Sequence, residues 1–244
     1  MNHKTKGIVL KTVKYGETSV IVHIYTELFG IQSYLVNGVR SSTKKGAGKA
    51  NLFQPGAILD LVIYHNELKN LQRLKEYKWH YLYRQILFDV VKNSVALFII
   101  ELVYKTVREP ESNSNLYEFI EDSLIHLDQS EPDLIANYPL FFSLHLSSFF
   151  GFRFSDEYTE TKQFLDLQEG EFVSEAPIHP NYIEGDLSEA TSKLLRVMQV
   201  HELKEIKLHK QTRARLLQSY LLFYNLHFQD FGTMKTVPIL KEIL

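Results

Sequence analysis

Apolar side chains recur at every second position as far as Trp79 and at every third or fourth from Tyr81 onward. This change of period constrains the chain more than any other feature, because a repeat of two belongs to strands with alternating faces and a repeat near 3.6 to helices. Strands first and helices afterwards, without alternation between them, imply an α+β multidomain fold. The expected division is 1–80 and 81–244.

Within the front part, Lys6 to about Lys14 is extended in character and ends in a turn at Tyr15-Gly16-Glu17. Thr18–Thr26 places Val20, Val22 and Ile24 on one face and Ile21, His23 and Tyr25 on the other, so both faces can be covered, as in a barrel wall. A turn at Glu27–Gly30, a third strand at Ile31–Val39, a fourth at Ala57–His65 and a fifth from Leu71 to about Trp79 complete the set. Leu59, Leu61 and Ile63 are the inward residues of the fourth. Five short strands with one long insertion match an N-terminal five-stranded OB-type β-barrel.

The rest is expected to be mainly α-helical, with a small inserted hairpin. Tyr81–Glu109 has the pattern of one long core helix, or two joined near Asn93-Ser94. Leu116, Phe119, Ile120, Leu124 and Leu127 mark a second, and Pro132 opens a third that runs to about Gly151. Ser155–Glu184 breaks the helical repeat, and Phe164–Leu167, a Gln168-Glu169-Gly170 turn and Glu171–Val173 suggest the hairpin. Asp186 with Glu189 signals another helix start, a long helix spans about Lys210 to Phe228, and Pro238 starts or interrupts a short last one.

Charge divides along the same line. Residues 1–80 hold twelve Lys+Arg against five Asp+Glu, whereas residues 81–244 hold fifteen against twenty-four. The overall charge of -2 therefore hides two modules of opposite sign, which points to different partners. The insertion from Val36 to Asn51 carries Arg40, Lys44, Lys45 and Lys49 with three glycines and no acid. Such a loop cannot build a core, since its cations resist burial and its glycines are entropically costly to order. Its use should lie outside the fold, against phosphates. Tyr25, Tyr34, Tyr64 and Tyr77 are aromatics available to stack on bases. A second cationic patch runs through Lys204, Lys207, Lys210, Arg213 and Arg215, with Lys210 and Arg213 its candidate DNA contacts.

Other chemistries find little support. The absence of cysteine excludes disulfides, thiolate catalysis and cysteine-bound metal, and fits a reducing cytoplasm. A P-loop would need glycine where Thr43 stands and Ser or Thr where Ala50 stands; a dinucleotide-binding glycine pattern fails at Asn51. His201-Glu202 lacks the second histidine of a zinc-protease helix. Glu118, Glu121 and Asp122 could be imagined as a nuclease's metal cluster, but their spacing puts them opposite their helix's apolar stripe, on a solvated face. His145, among apolar neighbours, is expected to be a hydrogen-bonded core histidine. The longest apolar runs, Val95–Ile100 and Tyr138–Phe154, fall short of a membrane span. No catalytic residue, cofactor or metal site is expected.

Gly7-Ile8-Val9-Leu10, Tyr15-Gly16-Glu17-Thr18-Ser19, Thr26-Glu27 with Gly30, Asn37-Gly38-Val39-Arg40 and Leu52-Phe53-Gln54-Pro55 follow one another in an order that resembles the opening of the RecO family of bacterial recombination mediators. The resemblance continues more weakly to Arg213-Ala214-Arg215-Leu216-Leu217 and Tyr220. It implies an OB barrel before a helical domain. It also implies a non-enzymatic cytoplasmic, nucleoid-associated protein that binds single- and double-stranded DNA and anneals complementary strands. With RecR, such a protein loads RecA onto strands coated by the single-stranded DNA-binding protein, whose C-terminal tail is a further partner. Many members carry a four-cysteine zinc module where this chain has residues 155–184 without cysteine, so the segment should be metal-free or held by its hairpin and packing. The rival functional reading is an OB-fold adaptor that binds RNA or protein.

Overall fold

The computed structural model describes residues 2–40, 49–108 and 110–243. The chain divides into two compact units, Met1–Phe88 with Ile100–Ile125, and Asp89–Ile99 with His126–Leu244.

In the first unit, β1 (Asn2–Tyr15), β2 (Ser19–Thr26), β3 (Gly30–Val36), β4 (Ile58–Tyr64) and β5 (Gln72–Tyr81) form a closed barrel in the order β1-β2-β3-β5-β4. The first strand is longer than its pattern suggested. Its front half pairs with β4 (Ile8↔Ile58) and its back half with β2 (Lys14↔Val20), with a register shift between Val9 and Lys11. That irregularity lets one strand turn the corner between two neighbours, which closes the barrel. β3 and β5 complete the ring as a parallel pair, Tyr34↔Gln72. Five antiparallel-dominated strands closed in this order are an OB barrel.

The barrel core is aliphatic. Val20, Val22 and Ile24 of β2 meet Leu59, Leu61 and Ile63 of β4, all at most 3% exposed. The other face of β2 is covered too, as its double alternation implied. The Tyr25 hydroxyl donates to the Asn113 carbonyl at 3.4 Å, and the Tyr25 ring lies 6.1 Å from that of Tyr117. Gly30 opens β3 with φ +57°, and a Cβ there would collide with the backbone of Glu111.

The sequence pattern placed a helix from Tyr81, but α1 spans Val90–Thr106. Strand pairing continues to Tyr81↔Ile58, and Asp89 supplies the cap, its Oδ1 accepting from the amides of Val91 and Lys92 at 2.8 and 3.0 Å. Helix α2 (Ser114–Gln129) is capped by Asn113, whose Oδ1 accepts from Leu116 N. On it Glu118 and Asp122 are exposed, as expected of a solvated face, but Glu121 is not. Glu121 is 6% exposed and takes the Lys6 ammonium at 2.5 Å, with His80 Nε2 3.6 Å away. Burial alone would lower the Lys6 pKa; Glu121 outweighs it and the group is raised.

The second unit begins with a buried cation. Lys92, 1% exposed, donates to the carbonyls of Asp128 and Ser130 and so satisfies the open C-terminal end of α2. The expected single helix after Pro132 is two pieces, α3 (Pro132–Ile135) and α4 (Tyr138–Ser147). They part at Asn137, whose buried amide donates to Ile206 O at 2.7 Å instead of facing solvent. Gly151, at φ +79°, ends the following turn.

Residues 155–184 hold the expected hairpin, β6 (Phe164–Asp166) with β7 (Glu171–Val173), plus a third strand, β8 (Tyr182–Ile183). Asp166 ties the three together: Oδ1 accepts from Gln168 N at 2.7 Å and Oδ2 pairs with His179 Nε2 at 3.1 Å. Helix α5 (Asp186–Leu195) starts where expected, yet its N-cap is Gly185 at φ +59° with no side-chain cap bond, so Asp186 is not the capping group. Helices α6 (Lys210–His227) and α7 (Thr236–Ile243) follow. This unit's core is aromatic: Phe154 lies 4.0 Å from Phe223, and Tyr224 stacks on Phe228 at 5.8 Å.

Candidate nucleic-acid interface

The cationic insertion leaves the barrel between two apolar plugs. Val39 and Phe53 are each 2% exposed in the barrel core, and of the described residues between them Arg40, Lys49, Ala50 and Asn51 are exposed while Leu52 packs partly buried against that core. The near end is stapled to the β1–β2 turn, where Arg40 N donates to Thr18 O at 2.9 Å and Arg40 Nη1 to Gly16 O at 3.3 Å. At the far end, Thr12 Oγ1 donates to the Phe53 carbonyl. Arg40 and Lys49 are both exposed at the roots of the insertion, and Lys44 and Lys45 lie outside the described residues.

The expected stacking aromatics separate into two groups. Tyr25 and Tyr34 are 1% and 0% exposed, and burial pushes their hydroxyls up, that of Tyr25 to about 12, so neither can meet a base. The barrel wall claims both rings, a consequence of two-sided coverage that also applied to β2. Tyr77 packs edge-on against Phe53 at 4.9 Å and is half-buried. Tyr64 alone of the four is exposed, at 47%.

A groove of about 550 Å³ lies over β1, β4 and β5, lined by Lys4, Lys6 and Lys78 and equally by Glu27, Asp60 and Glu76. Lys78 is 3.3 Å from Asp60, and His80 Nδ1 is 2.8 Å from the same carboxyl. Desolvation pulls the Asp60 pKa up; His80 and Lys78 outweigh it and hold the group below its ordinary value. A groove whose lining carries as many acids as lysines offers little net field for a polyanion.

The β4–β5 loop, which the sequence pattern showed only as a turn, is built. Gln72 is 3% exposed; its Nε2 donates to the carbonyls of Asn66 (2.8 Å) and Lys69 (2.5 Å), and its Oε1 accepts from Asn66 N at 3.0 Å. Asn66 Oδ1 accepts from Leu68 N at 2.9 Å. The only sequence signal for this was Asn66 itself, a residue that closes turns onto its own backbone.

Two cations of the second patch, Lys210 and Arg213, hold backbone carbonyls. Lys210 Nζ donates to the Glu242 carbonyl at 2.9 Å, and Arg213 Nη1 to Leu208 O at 2.5 Å; burial lowers the Arg213 pKa. With Lys241 they rim a small pocket floored by Leu140, Leu217 and Leu240. His145 is half-buried against Phe141 at 4.4 Å, with burial lowering its pKa. His201-Glu202 lies in a 3-10 turn where Glu202 Oε2 accepts from Met198 N at 2.9 Å, a local capping role. Among the described residues no group of three or more His, Asp or Glu is placed to hold a metal ion, and no helix is long and apolar enough to cross a membrane.

Residues 1–83 match the family profile described as recombination protein O N terminal, and residues 87–158 that described as recombination protein O C terminal. The chain belongs to the RecO family. Proteins named DNA repair protein RecO are similar along its whole length. That of Phocaeicola vulgatus is 33% identical over 243 residues, and that of Bacteroides fragilis 34% over 244; each alignment takes in 100% of this chain and 99% of the relative. The Flavobacterium psychrophilum protein is 32% identical over 243 residues, with the same coverage. This RecO-family chain is a DNA repair protein, and its OB barrel corresponds to the family's N-terminal part.

Proposed function

We propose that this RecO-family chain is a recombination mediator. The barrel, residues 1–80, holds single- and double-stranded DNA, and complementary strands anneal on it. The helical part, residues 81–244, receives RecR and the C-terminal tail of the single-stranded DNA-binding protein, so that RecA is loaded onto coated strands. Residues 155–184 stand in place of the family's zinc module, held by Asp166 and its partners rather than by metal. The work is done in the cytoplasm, at the nucleoid.

The observation that carries this reading is the insertion between Val39 and Phe53: a cation-rich segment plugged into the barrel core at both ends, with Arg40 and Lys49 exposed at its roots. Arg40, Lys44, Lys45 and Lys49 are its phosphate contacts, and Lys210 and Arg213 an extension. Annealing makes and breaks no covalent bond. Base pairing drives it once cations screen the repulsion between strands, so no catalytic residue or cofactor is required. The pocket rimmed by Lys210, Arg213 and Lys241 favours a second use for those residues, holding an acidic peptide that ends in an apolar side chain.

Annealing of complementary strands precoated with the cognate single-stranded DNA-binding protein tests the proposal. Acceleration by this protein is expected, without strand cleavage in magnesium. Coated strands that stay apart at every protein concentration would contradict it. Preference for RNA over single-stranded DNA of equal length would favour the adaptor.

A further inference from the structure

Two braced loops, one in each unit, hold an apolar side chain out in water. Leu68 on the β4–β5 loop is 94% exposed and Ile178 on the loop between β7 and β8 wholly so, more than any other large apolar residue described. Hydrogen bonds hold both loops in shape. Gln72 and Asn66 fix the first. Pro177 and Pro180 bracket the second, where His179 Nε2 lies 3.1 Å from Asp166 Oδ2, Asn181 N donates to His179 Nδ1 at 3.3 Å and Leu167 N to Asn181 O at 2.9 Å. A rigidly presented apolar group that its own unit does not cover marks a contact surface.

The surroundings of the two are alike in apolar content and opposite in charge. Beside Leu68 stand Tyr64 and Leu71, both exposed, with Lys69 and Arg73 as cations and Glu67 as the acid. Ile178 stands beside an open sheet face. In the β7-β6-β8 sheet Leu165, Phe172 and Ile183 are buried together on one side, and the register sets Phe164 with Val173, and Asp166 with Glu171 and Tyr182, on the other. Phe164, Val173 and Tyr182 are half-buried there, and the Phe164 and Tyr182 rings meet edge-on at 5.8 Å. Glu171 lies on this face, Glu169 and Glu175 flank β7, and all three are exposed. Residues 155–184 as a whole hold eight acids against one lysine, Lys162, itself bound to Glu157 at 2.5 Å.

We propose that these faces are partners, the sheet face of one copy docking on the β4–β5 loop of a second copy of this chain. Ile178 and Phe164 pack against Leu68 and Tyr64, and Glu171 and Glu175 face Lys69 and Arg73. Charge selects this pairing: loop on loop would set cation against cation and sheet on sheet acid against acid, whereas the unlike faces match in both charge and apolar content. Because the two faces differ, the contact is head-to-tail, and every pair still offers one free face of each kind. Two small patches with exposed charges make it weak and salt-sensitive. It needs no nucleic acid.

Sedimentation of the full chain, free of nucleic acid, tests it. In about 20 mM salt the mean mass should climb above that of one chain as concentration rises from about 5 to about 200 μM, and should return to one chain in about 500 mM salt, where exposed charges are screened. Leu68→Ser and Ile178→Ser each remove one face from every copy, so either variant alone should stay a single chain where the unsubstituted protein associates. Mixed in equal amounts they should associate again, as pairs that grow no further, because each supplies the face the other lacks. Both side chains lie in water, so unfolding midpoints should match the unsubstituted protein. Single chains at every concentration in low salt, association that either substitution leaves intact, or variants that fail to pair when mixed would each overturn the proposal.

Discussion

The loops of the barrel and the helix ends of the second unit use lysine and arginine differently. On the barrel, Arg40 and Lys49 stand exposed at the roots of an insertion, and Lys69 and Arg73 flank a braced loop, each positioned by backbone that packs elsewhere. In the helical unit, Lys92 closes the end of α2, Lys210 reaches Glu242 O and Arg213 reaches Leu208 O. Lys49, Lys69 and Arg73 are outward-facing charge and Lys92 is mortar, whereas Arg40 Nη1 also reaches the Gly16 carbonyl and Lys6 of the barrel is spent on Glu121. Charge counted along a sequence therefore identifies a candidate surface only where the local fold leaves the charge unspent.

Substitutions can sharpen this contrast, and the largest stability effect is expected in the barrel. Gly30→Ala forces a Cβ into the Glu111 backbone at φ +57°. It should cost on the order of 3 kcal/mol, read by denaturant unfolding. A loss under 1 kcal/mol would mean that the connection after α1 is not held against β3. Next is Lys92→Met, which keeps the bulk and strands two carbonyls, for about 1–3 kcal/mol. A neutral result would remove the claim that helical-unit cations serve the fold.

The smallest effect is the pH dependence contributed by His145. Burial lowers its pKa from 6.5, so the folded state prefers the neutral ring. The stability tied to it is complete above 6.5 and lost as pH falls through the lower folded value. The drop in melting temperature between pH 8 and pH 5 should shrink in His145→Gln; an unchanged drop would place the acid sensitivity elsewhere.

The barrel was legible because strand alternation names both the element and its inward face: Leu59, Leu61 and Ile63 could be assigned inward from the sequence alone. That same pattern could not tell which outward tyrosines a later helix would cover, and Tyr25 was misjudged for want of Asn113 and Tyr117, some ninety residues away. Helix limits were harder. Tyr81–Glu109 is apolar enough on every side that periodicity marks no start, and the decision fell to one cap, Asp89. Glu121 shows the limit of facial spacing: its place on α2 is outward, but Lys6 of β1 occupies the outside. The β4–β5 loop stayed hidden because its brace, Gln72, is a polar residue whose burial no local pattern announces.

The salt dependence of single-stranded DNA binding, measured side by side for two variants, tests the central contrast most directly. Replacing Arg40, Lys44, Lys45 and Lys49 together by alanine should lower the slope by about 2.8, roughly 0.7 for each lost contact. Replacing Lys210 and Arg213 should change it by less than half as much. Equal losses, or a larger loss from the helical pair, would contradict the assignment of the DNA surface to the barrel.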